Sequence, residues 1–301
     1  MKISVIIPVF NDINGLKDTV ISLNKQTLNK SEFEIIVAND GGIENINQYC
    51  KEENITCISI VPNMGSYNAR NEGIKVSKCE HLAFVDADAL PDENWLKSGL
   101  EALQNNDYVG GKVELIMKDK SNASIYEATR SFDIEKYLSQ FHFAPTVNLF
   151  VKKSVIDKIG MFDSGLRSSG DYEFGNRVNE GSYKMGYAAD AVVRHFTRNK
   201  EELFKKNIRL AKGKVDLRRR TNYFSGFSRG LLMCLRGIIP AKPLSGYNRY
   251  GFINGIGVYI FACRVKMNYY KCYYDALKKN EITENVSSKA EVQLIHETKI
   301  A

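Results

Sequence analysis

His81-Leu82-Ala83-Phe84-Val85-Asp86 is an apolar run closed by a carboxylate, and Ala87-Asp88 adds a second one just after it. A run apolar on both faces suits a strand inside a parallel sheet covered by helices. Three earlier runs share this form: Ile3–Phe10, Glu34–Ala38 and Thr56–Val61. Turn formers stop each of them, at Asn11-Asp12, at Asn39-Asp40-Gly41-Gly42 and at Pro62-Asn63. Helical stretches are predicted between them, near residues 15–25, 44–52, 66–77 and 93–103. The alternation predicts an α/β doubly wound, mostly parallel sheet with helices on both faces. Right-handed crossovers then bring the C-terminal strand ends to one edge, where ligands of such sheets bind.

Composition narrows the function classes. The chain has 301 residues, 44% hydrophobic and 26% charged, which is ordinary for a globular protein. The net charge is +7, yet Arg194 to Arg229 alone holds 12 basic and 3 acidic residues. That local surplus calls for a local anionic partner. No RNA- or DNA-binding pattern accompanies it, so nucleic acid is not expected. The six cysteines form no C-x-x-C pair, which argues against a zinc site and for free thiols in a cytoplasmic, reducing setting. The N-terminal residues lack the pattern of a signal peptide. No apolar window reaches the roughly 18–20 residues of a spanning helix.

The residues after the four runs are Asn11-Asp12, Asn39-Asp40, Asn63 with Gly65, and Asp86-Ala87-Asp88. They are expected to share one crevice, although Asn, Asp and Gly are also what turns require. The last group says more. Two carboxylates flanking one small residue can converge on a hard cation, Mg²⁺ or Mn²⁺, whose shell phosphate oxygens and water complete. Such an ion neutralises charge on a phosphate leaving group.

Five segments in order resemble family 2 glycosyltransferases, whose fold is of the nucleotide-sugar-binding GT-A type. Ser4-Val5-Ile6-Ile7-Pro8-Val9-Phe10-Asn11 is similar to the family's opening strand and turn. Val37-Ala38-Asn39-Asp40-Gly41-Gly42 is similar to its V-D-D-G-S turn. The run from Asn63 to Gly73 is similar to its N-x-G-x-x-x-A-R-N-x-G helix start, and Phe84 to Asp88 to its D-x-D strand end. Gly160-Met161-Phe162-Asp163, followed by Gly170-Asp171-Tyr172-Glu173-Phe174, is similar to its G-x-F-D … E-D segment.

The resemblance implies an inverting transfer from a nucleotide sugar, in the family most often a UDP-sugar, with Mn²⁺ or Mg²⁺ as cofactor. By this analogy Pro8, Asn11, Asn39, Asp40, Asn63, Gly65, Arg70 and Asp86 line the donor pocket. Asp88, with Asp86 and His195, is expected at the metal. Asp171 is expected as general base, taking the acceptor's proton. The sequence leaves alternatives beside three of these. Asp171 also suits a helix N-cap. His195 also suits a strand end bonded to backbone. Arg70 could instead pack against Asp12 or Asp40. Two departures stand out: Asn39 replaces the family's first Asp, which leaves the base open, and Gly170 replaces its Glu before the base. The only tryptophan is Trp95, so the Q-x-x-R-W motif of processive members is missing and addition of one sugar is expected.

By the same reading, residues 1–200 form the catalytic domain, 201–278 a basic and aromatic helical region, and 279–301 a frayed tail. Helix 200–220 and the apolar runs Tyr223–Pro240 and Tyr250–Cys263 carry basic faces and aromatic edges, as interfacial helices do. They predict either peripheral attachment to anionic lipid at the inner face of the plasma membrane, beside a glycan or polyprenyl-linked acceptor, or a packing or dimer interface. Oligomeric state is not readable. Two other functions fit less well. A sugar-nucleotidyltransferase would carry a Gly-rich basic loop after the first strand, and a degenerate membrane-bound partner would not need Asp86, Asp88 and Asp171. Surface polysaccharide or lipopolysaccharide assembly is the expected pathway by family analogy.

Overall fold

The computed structural model describes residues 1–130, 132–220 and 251–298. The chain divides into two compact units, Met1–Thr197 and Arg198–Ala301. In the first unit the elements run β1 (Ile3–Val9), α1 (Ile13–Asn24), β2 (Phe33–Asp40), α2 (Glu44–Glu52), β3 (Thr56–Ile60), α3 (Ser66–Val76), β4 (His81–Val85) and β5 (Ala89–Pro91). They continue with α4 (Trp95–Asn105), β6 (Tyr108–Ile116), α5 (Asn122–Ala128), α6 (Ile134–Phe141), β7 (Asn148–Lys152), α7 (Lys153–Ile159), α8 (Gly170–Glu180) and β8 (Met185–Phe196).

The strands form one sheet in the order β3-β2-β1-β4-β7-β6-β8-β5. β1 pairs parallel with β2 and β4, and β2 with β3, so the four apolar runs lie side by side as expected. Their interior is dry: Ile3, Val5, Ile6 and Ile7 of β1 and Leu82 to Val85 of β4 are fully buried. β7 runs antiparallel to β4 and β6, and β5 antiparallel to β8, which makes the other half of the sheet mixed.

Between β6 and β8 the register jumps. Gly111 faces Ala188, and Lys112 faces Val192. The fully buried Asn148 fills this irregularity. Its Nδ2 donates to Lys112 O and Ala191 O, each at 2.8 Å, and its Oδ1 accepts from Trp95 Nε1 at 2.8 Å. A Cβ at Gly111 would lie 2.4 Å from the Asn148 amide, so glycine is required there.

An aromatic ladder runs from β4 to α8. Phe84 meets Phe162 edge-on at 5.4 Å, Phe162 meets Phe174 at 4.4 Å, and Phe174 meets Tyr108 at 6.2 Å. Arg177 of α8 donates to the carbonyls of Ile159 and Met161 while pairing with Glu173, and so ties α8 to the end of α7.

The second unit contains α9 (Lys200–Arg220) and α10 (Phe252–Thr298). Phe204 meets Phe261, Asn207 donates to Val265 O, and Arg218 bonds the Tyr273 hydroxyl, so the two helices run parallel. Ala211, Val215 and Tyr273 form their shared core. The predicted run Tyr223–Pro240 lies outside the described residues. α10 continues to Thr298. No glycine or proline follows Gly257 to interrupt it. Among the described residues no helix is long and apolar enough to cross a membrane.

Candidate active site

At the end of β2 the turn is held by two neighbouring side chains. Asp40 is buried, and its carboxylate accepts from Met64 N at 2.7 Å, Gly65 N at 2.8 Å and Asn63 Nδ2 at 2.8 Å. Gly65 has a φ of 95°, a left-handed conformation natural to glycine, and it precedes the first turn of α3. Asn63 Oδ1 in turn accepts from Arg167 at 3.3 Å.

Asn39 is fully buried. Its Nδ2 donates to Ile43 O at 2.9 Å and to Asn47 Oδ1 at 2.8 Å, while its Oδ1 accepts from Ile43 N at 3.2 Å. Both N–H groups of its amide are thus used within the protein, and Asn39 ties the turn after β2 to α2.

Pro8 lies in β1 opposite Ala38. Asn11 is exposed in a left-handed conformation, φ 54°, and Asp12 caps α1 by accepting from Gly15 N at 2.9 Å. Around the same edge the structure exposes apolar side chains that the sequence reading passed over. Phe10 is 54% exposed and its ring backs Gly41, Val61 is 75% exposed beside Gly42, and Met64 is 45% exposed.

The Asp86-Ala87-Asp88 turn is fixed from two sides. Thr19 of α1 donates to Ala87 O at 2.9 Å and to Ala89 O at 2.7 Å. A Cβ at Gly15 would lie 2.8 Å from Ala87 O, so α1 approaches the turn closely. β5 then places Ala89 opposite His195. His195 is buried, with Nδ1 2.6 Å from Phe196 O and Nε2 3.1 Å from Asp88 Oδ2. A carbonyl only accepts, so Nδ1 carries a proton and Nε2 is the atom aimed at Asp88. His195 thus bonds backbone with one nitrogen and faces the Asp88 carboxylate with the other.

Asp86 Oδ1 pairs with Arg70 at 2.5 Å. Among the described residues no three His, Cys, Asp or Glu side chains gather as a metal cluster. Asp88 and His195 are the pair that suits a divalent ion, with further oxygens coming from a phosphorylated ligand. Arg70 itself is buried and lies against Asp86, not against Asp12 or Asp40. Its Nε is, among the described residues, the one buried side-chain polar atom without a partner.

Asp171 sits in the first turn of α8, whose N-cap is Ser169, so the alternative of an N-cap aspartate is replaced. The helix begins earlier because Gly170, without a side chain, can be accommodated beside Tyr67. Asp171 Oδ1 accepts from the Tyr67 hydroxyl at 3.2 Å and from Tyr172 N at 3.1 Å. Burial pushes its carboxyl above the usual carboxylate range, against the pull of the Arg70 charge and these hydrogen bonds. Arg70 thus stands between the two acidic groups, paired with Asp86 and with its guanidinium 5.8 Å from the Tyr67 ring centre.

A second residue of α3 locks the motifs together. Asn71 donates to Phe162 O at 2.8 Å and accepts from Phe162 N at 3.1 Å, which joins the A-R-N segment to the G-x-F-D segment. Asn71, Tyr67, Thr19 and Asn47 were not singled out from the sequence. Tyr67 and Asn71 lie inside a motif that was, and only their partners in the far segment reveal what they do.

A sheet whose parallel half ends in Asp40, Asp86 and Asp88, with Asp171 joined to them through α3, defines a nucleotide-sugar-dependent transferase of GT-A type. The family model for glycosyl transferase family 2 matches residues 4–162. Glycosyltransferase AglE of Haloferax volcanii is 31% identical over 223 residues, covering 71% of this chain and 73% of that protein. The poly(ribitol-phosphate) beta-N-acetylglucosaminyltransferase TarP of Staphylococcus aureus is 32% identical over 168 residues, 52% of this chain and 50% of that protein. Among solved structures, the mannosyltransferase PcManGT of Pyrobaculum calidifontis, in complex with GDP-Man and Mn²⁺, aligns with a TM-score of 0.59 at 14% identity, covering 97% of this chain and 80% of that one. Staphylococcus aureus TarS 1–349 in complex with UDP-GlcNAc aligns with a TM-score of 0.56 at 18% identity, covering 93% and 92%. These structural likenesses establish the fold. The chain belongs to glycosyl transferase family 2, and it is a glycosyltransferase.

Proposed function

We propose that this enzyme moves one sugar from a nucleotide-sugar donor, with inversion, to a hydroxyl of a glycan or polyprenyl-linked acceptor, in assembly of a surface polysaccharide or lipopolysaccharide. The observation that carries this reading is the setting of Asp171. Both of its hydrogen bonds described above end on Oδ1, which leaves Oδ2 to take the acceptor's proton. As that proton moves to Asp171, the acceptor oxygen bonds to the anomeric carbon and the bond to the diphosphate breaks. Burial raises the carboxyl toward the pH at which a base works well.

Asp88 and His195 would hold Mn²⁺ or Mg²⁺, and the ion, when bound, offsets charge on the departing diphosphate. Exposed Phe10, Val61 and Met64 around the Gly41 turn suit the face of a nucleobase. With Asn39 turned inward, uridine and guanosine donors both remain open. A degenerate partner is the weaker reading, since Asn39 and Gly170, the two departures from the family pattern, each serve a tertiary contact and the acidic residues are in place. Ile256, Ile260 and Met267, exposed along α10, support a lipid-facing role for the second unit at the inner leaflet.

The test is turnover of UDP- and GDP-sugars with and without Mn²⁺, for wild type and Asp171→Asn. Wild type is expected to turn over at least one donor in a Mn²⁺-dependent manner. Asp171→Asn is expected to lose roughly 10²- to 10⁴-fold in rate while keeping the thermal shift that the donor induces. Near-normal turnover in the variant would remove Asp171 as the base.

A further inference from the structure

Position 170 has no side chain, and the reason lies on a different helix. A Cβ built on Gly170 would lie 2.7 Å from Tyr67 Cε2 and 2.8 Å from its Cδ2 and Cζ. Real Cβ atoms do not approach ring carbons that closely, so the ring of Tyr67 owns this space. That ring is 7% exposed and stacks on Phe162 at 5.9 Å. It also has the Arg70 guanidinium 5.8 Å from its centre. Its hydroxyl, held by this packing, donates to Asp171 Oδ1 at 3.2 Å.

We infer that Tyr67 is the positioning residue for the catalytic carboxylate: its ring sets where α8 begins, and its hydroxyl fixes the Asp171 rotamer so that Oδ2 is presented to the acceptor. The inference rests on Asp171 being the base. It assigns Tyr67, which lies at one of the unspecified positions of the A-R-N motif, a duty that the quoted motif does not predict.

The electrostatics agree with the geometry. Burial, and then the Asp171 charge, push the Tyr67 phenol well above its ordinary range, so it stays protonated and can only serve Asp171 as a donor. A donor favours the ionised carboxylate, which opposes the upward push of burial on Asp171. Arg70 on α3 acts in the same direction, and Tyr108 on β6 is the other titratable group facing Asp171. Removing the hydroxyl therefore raises the Asp171 pKa, and ionised base is lost at the acidic side of the pH profile.

The experiment compares Tyr67→Phe, Gly170→Ala and Asp171→Asn with wild type in the full chain. The reaction is turnover of UDP-N-acetylglucosamine or GDP-mannose with Mn²⁺, whichever wild type uses. For Tyr67→Phe we expect kcat to fall roughly ten- to hundredfold, with donor KM little changed, because one hydrogen bond to a charged group is lost. The acidic limb of kcat/KM should move to higher pH. Gly170→Ala keeps the hydroxyl but crowds the ring, so it should lower kcat in the same way without loss of donor binding. It also serves as the second reading should Tyr67→Phe fold poorly. Unchanged kcat and an unmoved limb in Tyr67→Phe overturn the assignment, as does a loss confined to donor KM or to the thermal midpoint. Asp171→Asn separates the two claims. If it is silent while Tyr67→Phe behaves as wild type, only the role of Tyr67 fails. If it is active, the base was misassigned and the role of Tyr67 falls with it.

Discussion

Asn39 shows how a single residue can depart from a motif without weakening the fold. Its amide faces the peptide of Ile43 as a matched pair, donor to carbonyl and acceptor to N–H, and adds a bond to Asn47. Asn47 Oδ1 is itself a hub that also accepts from the Ser59 hydroxyl at 2.9 Å. An aspartate at 39 would face Ile43 O with a second acceptor, and no donor is within the pair to replace Nδ2. We therefore expect Asn39→Asp, which restores the family's usual residue, to destabilise the first unit by about 1–3 kcal/mol in urea unfolding, the cost of a buried mismatch. Unchanged stability would mean that Asn47 reorients freely to supply the donor. In the sequence this position read as a doubt about base preference. Its physical meaning is local, because only the positions of Ile43 and Asn47 show that both ends of the amide are taken.

At the scale of elements, the parallel half of the sheet was readable, while of the mixed half only the strand end at His195 was. The four apolar runs match β1 to β4 within one or two residues; β1 and β4, buried on both faces, leave an unbroken apolar signal, while the edge strand β3 exposes Thr56 and Ser59. β8 spans Met185–Phe196 with burial that changes from residue to residue, and β5 has three residues, so neither carries such a signal. Asn148 makes the point sharply. A fully buried polar residue between Val147 and Leu149 looks misplaced until the register jump between Gly111 and Lys112 gives it two carbonyls to satisfy. Asn148→Leu keeps the size but strands Ala191 O, Lys112 O and the Trp95 N–H. It should cost about 3–6 kcal/mol, from one to three kcal/mol per orphaned buried group with partial relaxation. A urea midpoint within error of wild type would show that the irregularity closes without it. The site was legible to the same extent as the sheet. Turn carboxylates at strand ends announced Asp86 and Asp88. Tyr67 did not announce itself, since an aromatic residue in the first turn of a helix reads as core until the far segment is folded against it.

For the whole molecule, the distribution of charge poses the remaining question. The segment from Arg194 to Arg229 carries 12 basic against 3 acidic residues, while the chain as a whole is only +7. The second unit adds an apolar feature: Ile256, Ile260 and Met267 recur at helical spacing on α10 and are 37%, 48% and 46% exposed. An exposed apolar stripe beside basic residues such as Arg264 and Lys271 is what a membrane interface rewards. Roughly 1 kcal/mol per basic side chain near anionic lipid comes from attraction alone. Neither contribution suffices by itself, because charge is screened by salt and a short stripe buries little area. Acting together they predict binding to vesicles that contain acidic phospholipid and little binding to neutral ones, weakened as salt rises. Ile260→Glu should reduce flotation with acidic vesicles several-fold while leaving turnover of a soluble donor intact. If flotation is the same with neutral and acidic vesicles even at low salt, the lipid role is lost. If in that case Ile260→Glu instead breaks a dimer seen by sedimentation, the stripe belongs to a second copy of the chain, and the basic segment must find its anion elsewhere.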